Sequence, residues 1–486
     1  MMDRDLISIQ EARDLVRRAK EAQFKLSNLS QKELDEIVRS MAEEAYQNSE
    51  RLAKMAVEET GFGKYEDKII KNKFASKIVF ESIKEVKTVG ILKNDDINKI
   101  LEIGVPIGII AALIPSTNPT STTIYKALIA IKSGNAIVFS PHPAAARCIL
   151  ETAKILEKAA IKSGAPEGII GCLQNPTLEA TNELMKNKDV ALILATGGSA
   201  MVRAAYSSGK PALGVGPGNV PAFIERTADI PLSVKRIIES KTFDNGTICA
   251  SEQAIVTENC IKEKVKEELI LQGGYFLDEE EARKVAKVLV NPCGGLNPRI
   301  VGQPAIKIAQ MAGLEIPDNI KVLIKEEKGV GKEFPFSMEK LSPILAFYTE
   351  ENWEKACEKC IEILNFGGLG HTLVIHSNNE EVIMEFALKK PVSRLLINTS
   401  ASQGAIGATT NLQPALTLGC GSIGGSSTSD NIGPLHLINI RRIAYGIRET
   451  NEIFSNSNED KVDLDYLKKL IINEINKIKK GGVLNG

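Results

Sequence analysis

The chain has 486 residues, too many for one ordinary core, so two or three domains are expected. Hydrophobic residues at 43% and charged residues at 25% describe a globular protein. Sixty basic residues against 61 acidic ones leave a formal charge of -1, which excludes the basic footprint of a nucleic-acid binder and points to small-molecule partners.

The N-terminus, MMDRDLISIQEARDLVRRAKEA, is charged throughout and lacks the apolar core of a signal peptide. No run approaches a membrane span, so a cytoplasmic protein without membrane contact is expected. Residues 7 to 86 read as several amphipathic helices, with apolar residues three and four apart in EARDLVRRAKEAQF, KELDEIVRSMAEEAY and EDKIIKNKFASKIVFESI. Residues 87 to 103 hold two short β-prone runs around Asn94-Asp95-Asp96, a hairpin suited to packing or subunit contact.

From Pro106 the pattern alternates strand and helix: GIIAALI, a helix to about Lys132, AIVFS, a helix to about Ser163, GIIGCL, a helix to about Asn187, then VALILAT. Such alternation predicts a parallel sheet covered by helices on both faces, with ligands at the carboxyl ends of its strands. Pro115-Ser116-Thr117-Asn118-Pro119, Ser140-Pro141-His142-Pro143 and Thr196-Gly197-Gly198-Ser199 follow strands of this set. The last precedes the helix SAMVRAAYSS, whose free N–H groups suit a phosphate, although glycine there also makes a plain turn. In KPALGVGPGNVP, Gly214, Gly216 and Gly218 let backbone run close to a ligand or to the loop that carries Cys249.

A second αβ segment is expected from about Ala228, with strands at SEQAIVT, IKVLI, PILAFY, HTLVIH and SRLLIN. Cys357 and Cys360 fall inside a helical pattern with no histidine cluster, so no metal site is expected, and the eight cysteines read as free thiols. The Gly, Ser and Thr of 400 to 434 suit a linker, but Leu412, Leu416, Leu418 and Ile423 favour an ordered, backbone-dominated surface. A polar tether at 451 to 461 leads to 462 to 480, which puts Leu464, Leu467, Ile471, Ile475 and Ile478 on one helical face, either docked on the parent domain or offered to a partner.

Among the cysteines, Cys249 stands out. It follows an Asp244-Asn245-Gly246 turn read as flexible and precedes Ala250-Ser251, which leaves its sulfur room to meet a small substrate. A thiolate adds readily to a carbonyl carbon and leaves readily from a thioester.

The motifs PSTNPTS (115–121), FSPHP (139–143), ATGG (195–198), GVGPGNVP (214–221), FDNGTICASEQ (243–253), EKLSP (339–343), GGLGHT (367–372) and LTLGCGSIGGSSTSDNIGPLHLINI (416–440) stand in one order. Over residues 10 to 445 the chain resembles the aldehyde dehydrogenases, and within them the CoA-acylating branch that includes the aldehyde dehydrogenase half of the bifunctional aldehyde-alcohol dehydrogenases. The resemblance implies an α/β fold with a Rossmann-type nucleotide-binding domain (1–86 and 104–227) and an oligomerisation hairpin (87–103). An α/β catalytic domain (228–415), a return segment (416–450) and a polar linker with an amphipathic helix (451–486) complete it.

It further implies that Cys249 is the nucleophile, with the Asn118 amide and the Cys249 N–H as oxyanion donors. Asn118 also suits a helix cap. The implied cofactor-binding residues are Pro115, Ser116, Thr117, Ser140, His142, Thr196, Gly197, Gly198, Gly216 and Glu339. Glu339 would accept hydrogen bonds from the nicotinamide ribose. Ser140 and His142 replace the usual lysine and glutamate of hydrolytic relatives, so NAD is expected while NADP stays open. Hydrolytic relatives carry a glutamate at Gly214 that activates water; without it, the acyl-enzyme would await the thiol of coenzyme A. His371 is typical of the acylating branch and suits either CoA or a backbone-bonded strand start.

The expected reaction is a short aldehyde, acetaldehyde or propanal, plus CoA and NAD to acyl-CoA and NADH. Succinic semialdehyde and sulfoacetaldehyde stay open as substrates, with Arg203 a candidate cation and Thr117, Thr120 and Ser121 around a modest pocket. The rivals are a hydrolytic dehydrogenase and a non-enzymatic cargo or scaffold protein. The sequence ends where the bifunctional relatives continue into an alcohol dehydrogenase domain, so alcohol formation would need another enzyme. The helix at 462–480 resembles peptides that load enzymes into bacterial microcompartments, and a homodimer or larger assembly is expected.

Overall fold

The computed structural model describes residues 4–450, 453 and 464–481. The N-terminal periodicity produces the helices Arg4–Leu26, Gln31–Gln47, Ser49–Thr60 and Tyr65–Lys73. The second starts on a capping box, in which Ser30 and Glu33 satisfy each other's backbone N–H groups. Strands β1 (Gly90–Asp95) and β2 (Ile100–Pro106) form the expected hairpin, which gains a third strand, β15 (Ile438–Ala444), in the order β1-β2-β15.

The apolar runs after Pro106 become β3 (Ile109–Ile114), β4 (Ala136–Pro141), β5 (Ile170–Cys172) and β6 (Val190–Thr196). With β7 (Ala212–Val215) they make a five-stranded sheet ordered β5-β4-β3-β6-β7, parallel throughout. Every residue of β3 and β4 is buried, as expected where helices cover both faces. The order turns back at β3, which opens a crevice beyond the carboxyl ends of its neighbours. The helix Pro119–Lys132 that follows β3 is buried along its whole length, including Lys126, whose ammonium donates to the Leu113 and Leu194 carbonyls.

A seven-stranded parallel sheet, ordered β10-β11-β12-β9-β8-β13-β14, contains β8 (Val220–Ile224), β9 (Glu252–Glu258), β10 (Gly274–Phe276), β11 (Val322–Glu326), β12 (Ile344–Glu350), β13 (Gly370–His376) and β14 (Val392–Ile397). Its strands begin at Val220, ahead of the expected start at Ala228. Strand β8 pairs with β9 on one side and β13 on the other, although glycine and proline fill the sequence before it. The Gly-Ser-Thr-rich stretch is ordered by backbone bonds, among them Gly419 N–H to Asp430 O and Gly421 N–H to Thr428 O. The Arg394 guanidinium donates to the carbonyls of His371, Gly419 and Ser429.

The chain divides into two compact units. The first comprises Met1–Leu92 and Ile103–Arg441 and holds both large sheets. The second comprises Lys93–Glu102 and Arg442–Gly486, in which Arg442 pairs with Glu102 at 3.0 Å. It includes the helix Leu464–Gly481, on which Leu467, Ile471 and Ile475 are exposed. The tether expected at 451 to 461 lies, apart from Ile453, outside the described residues. Among the described residues no helix is long and apolar enough to cross a membrane.

At Gly218 an added Cβ would lie 2.1 Å from the Cys249 carbonyl oxygen, whereas at Gly216 it would meet nothing within 4 Å. Gly218→Ala is therefore expected to lower unfolding free energy by about 1–3 kcal/mol and Gly216→Ala to change it little, as measured by urea denaturation.

Candidate active site

Pro115, Ser116 and Thr117 follow β3, Ser140 is the next-to-last residue of β4 with His142 just after the strand, and Thr196 ends β6 with Gly197 and Gly198 beyond. All of them line one cleft of about 380 Å³, together with Asn118, Gly216, Cys249 and Glu339. The structure thus brings together every expected site residue except His371, which reaches the same place from β13 by its contact with Cys249. The helix Ser199–Tyr206 starts on Gly198 without a side-chain cap, so its first N–H groups are left for a ligand.

The turn before Cys249 is not flexible. Asp244, Asn245 and Gly246 are buried and occupy three successive left-handed conformations, at φ 48°, 51° and 76°. Such backbone persists only where its surroundings over-determine it. Asn245 Nδ2 donates to Gly302 O at 2.8 Å. The Asp244 carboxylate accepts from Lys64 N (2.7 Å), Lys68 Nζ (3.0 Å), Lys71 Nζ (2.5 Å) and Thr247 Oγ1 (2.7 Å). Burial pushes this carboxyl up, but Lys71, Lys68 and the hydrogen bonds outweigh it and hold it below the usual aspartate range.

Asn118 precedes the helix Pro119–Lys132 but makes no side-chain cap bond. Its Oδ1 accepts from Lys71 Nζ at 2.6 Å, and its Nδ2 donates to Thr247 O at 3.1 Å, two residues before Cys249. His371 Nε2 lies 3.3 Å from Cys249 Sγ, while Nδ1 lies 3.0 Å from Thr372 Oγ1. Burial, with Arg394 nearby, lowers His371 to about 3, so the ring is neutral near pH 7. Burial, with Glu339 and Cys420 adding to it and Arg394 opposing, pushes the Cys249 thiol up to about 12. The resting pair is a neutral imidazole beside a protonated thiol, too far apart in basicity to form a standing thiolate, so the proton can pass to Nε2 only as the carbon–sulfur bond forms and acidifies the thiol. Glu339, pushed up to about 8 by burial, accepts from Gly218 N–H at 3.0 Å.

Several expectations are corrected. A side chain at Gly214 would meet Tyr206 Cε2 and Val202 Cγ1, each at 2.9 Å, so that position faces the helix Ser199–Tyr206, and Val215 and Gly216 line the cleft instead. Thr120 is buried on Asn72 and Ser121 is buried beside it; Thr122, not these, joins Thr117 at the cleft. Arg203 is exposed on its helix and is not part of the lining. The Ser140 hydroxyl is shared with Thr181 at 2.8 Å, and His142 Nδ1 accepts from Ala144 N–H, which leaves Nε2 free of that bond. Lys68 and Lys71 were missed, because their helix runs against amphipathic logic: both lysines are buried while Ile70 is 52% exposed. Two lysines three apart share a face, and that spacing was the available signal.

The profile described as the aldehyde dehydrogenase family matches residues 5–272. The bifunctional aldehyde-alcohol dehydrogenase AdhE of Escherichia coli is 47% identical over 442 residues, 90% of this chain and 50% of that one. The chain thus spans about half the length of the curated relatives it matches first. An acetylating aldehyde dehydrogenase from Geobacillus thermoglucosidasius is 56% identical and superposes with a TM-score of 0.91, over 92% of this chain and 99% of that one. A propionaldehyde dehydrogenase from the fucose utilisation microcompartment of Clostridium phytofermentans is 30% identical, with a TM-score of 0.82 over 90% and 97%.

Glu339 destabilises a thiolate at Cys249 once it is itself ionised, above about pH 8. Glu339→Gln removes that charge, so the pH at which Cys249 becomes reactive to iodoacetamide is expected to fall. An unchanged profile would show that burial alone raises the thiol.

Proposed function

Because the chain belongs to the aldehyde dehydrogenase family, we propose that it is a CoA-acylating aldehyde dehydrogenase. It converts a short aldehyde, acetaldehyde before propanal, with CoA and NAD reversibly to acyl-CoA and NADH. The carrying observation is the composition of the cleft: a thiol, a carboxamide and a neutral imidazole meet there, and the only carboxyl group of the lining, Glu339, is already bonded to the Gly218 N–H. Raised to about 8, that carboxyl is largely protonated near pH 7, so the lining holds no ionised carboxylate to activate water there.

A nicotinamide dinucleotide fits this cleft. A Cβ at Gly198 would meet nothing within 4 Å, which leaves room for a pyrophosphate at the uncapped helix Ser199–Tyr206. Thr196, Gly197, Gly198 and Gly216 would hold the phosphates, Pro115, Ser116 and Thr117 the nicotinamide side, Glu339 its ribose, and Ser140 and His142 the adenosine end. No carboxylate of the lining stands beside Ser140 to repel a 2′-phosphate, so NADP is accepted more weakly rather than rejected. When bound, the dinucleotide supplies the hydride acceptor that aldehyde oxidation requires.

Cys249 Sγ adds to the carbonyl carbon as its proton passes to Nε2 of His371. The oxygen that gains charge is met by the Asn118 amide and the Cys249 N–H. The acyl group is then held on sulfur as a thioester, which CoA thiol attacks after His371 has lost its proton to solvent. One thioester replaces another, so the exchange is nearly balanced and runs either way. The one Lys or Arg of the lining, Lys71, is committed to Asp244 and Asn118, which favours an uncharged acyl group over succinic semialdehyde or sulfoacetaldehyde.

The five-stranded sheet serves as nucleotide-binding domain and the seven-stranded sheet as catalytic domain in this reading, with the three-stranded sheet as the contact between copies in a homodimer or larger assembly. The exposed apolar residues of the helix Leu464–Gly481 support its use as a microcompartment-loading peptide.

The test is NADH formation from acetaldehyde and NAD with and without CoA, for wild type and Cys249→Ala. Sustained turnover is expected only with CoA, and the variant is expected to lose at least about 10³-fold in rate. Sustained NADH and acetate without CoA would assign a hydrolytic reaction instead, and an inactive wild type with every short aldehyde would favour a scaffold.

A further inference from the structure

Lys71 stands at the cleft with its ammonium divided among Asp244 Oδ2 (2.5 Å), Asn118 Oδ1 (2.6 Å) and Thr247 Oγ1 (3.0 Å), and with the Phe243 ring 5.5 Å away. These three acceptors match its three donors. Lys68, on the same helix, separately donates to Asp244 Oδ2 and to Thr117 O. A lysine ammonium has no lone pair, so a carboxamide 2.6 Å away must turn its oxygen toward it; the flipped amide would set NH2 against NH3⁺. The remaining half of the Asn118 amide, Nδ2, then faces Thr247 O at 3.1 Å and Thr117 Oγ1 at 3.3 Å, on the side of the Cys249 loop. No helix-cap bond holds that side chain, so its orientation is set by Lys71 at Oδ1, the shorter and charge-assisted bond, together with the Thr247 carbonyl at Nδ2.

We propose that Lys71 is the positioning residue of the oxyanion site: through Oδ1 it fixes the Asn118 carboxamide with Nδ2 toward the reacting oxygen, and it polarises that N–H. The proposal rests on the reading of Cys249 and Asn118 given above. A charge-assisted bond to the amide oxygen draws electrons from the amide nitrogen and makes its N–H a stronger donor. The same ammonium also meets Asp244 and Thr247, but Lys68 and the Lys64 N–H hold Asp244 without it, so the bond to Asn118 is the contact Lys71 alone supplies. Structural charge pairing alone would be served by Lys68 and would not need the bond to Asn118.

The test is a double-mutant cycle on the burst of NADH formed from acetaldehyde and NAD without CoA, which reports acylation of Cys249, with the KM for NAD measured alongside. Asn118→Ala is expected to slow the burst about 10²- to 10³-fold. Lys71→Met is expected to slow it about 10- to 100-fold while the KM for NAD changes less than about 2-fold. The double variant is expected to be no slower than Asn118→Ala alone, because Lys71 acts only through that amide. Losses that multiply in the double variant, or a Lys71→Met burst at the wild-type rate, overturn the proposal. Should Lys71→Met not fold, Lys71→Gln keeps a donor without the charge and is judged by the same two criteria. A wild type with no burst overturns the reading of the site and this proposal together, whereas a normal wild-type burst with multiplied losses overturns only the role of Lys71.

Discussion

A carboxylate removed from water persists only where cations and donors replace its hydration, and Asp244 meets that condition with two lysine ammonium groups, one hydroxyl and one backbone N–H. Removing one member of such a buried set strands the others, at a cost of about 3–5 kcal/mol. The arrangement demands unusual backbone. Asp244 and Asn245 accept left-handed φ, and Gly63 has no Cβ because one would lie 1.8 Å from Asp244 Oδ1. The helix Tyr65–Lys73, the end of β3 and the Cys249 loop are therefore joined at one charge cluster.

That cluster sets the chemistry beside it. The thiol of Cys249 is held protonated chiefly by burial, so it is not a standing thiolate open to chance oxidation. In the proposed reaction, activation falls to the neutral His371 imidazole 3.3 Å from the sulfur, and stabilisation of the new oxyanion to an amide already oriented before substrate arrives. Preorganised donors of this kind need no rearrangement in the transition state. Arg394 completes the frame, since it ties the His371 carbonyl to those of Gly419 and Ser429 and so fixes the start of β13 against the glycine-rich stretch.

Much of this was legible in sequence because it depends on local patterns. Apolar runs spaced by helices predicted a parallel sheet and four of its five strands, all but β7, and the loops after β3, β4 and β6 were placed at its carboxyl ends, where they line the cleft. The close approach of the Gly218 loop to the Cys249 loop was also readable from glycine content. What stayed hidden depends on tertiary context. Asp-Asn-Gly reads as a loose turn unless the lysines that lock it are known, and those lysines come from a helix about 175 residues earlier whose buried face is polar. The direction of Gly214 depended on which way β7 pleats, which a one-residue change reverses. Strand β8 was masked by the glycines and prolines around it, yet it lies within the seven-stranded sheet.

The central claim is that acyl groups rest on Cys249 until a thiol removes them. Mass spectrometry of the Cys249-bearing peptide tests it most directly, after the enzyme is incubated with acetaldehyde and NAD in the absence of CoA and quenched in acid. The account predicts an acetyl group on that peptide, stable for many turnover times in buffer and discharged on adding CoA. An unmodified Cys249 accompanied by accumulating acetate would contradict it, because water would then be reaching and cleaving the thioester.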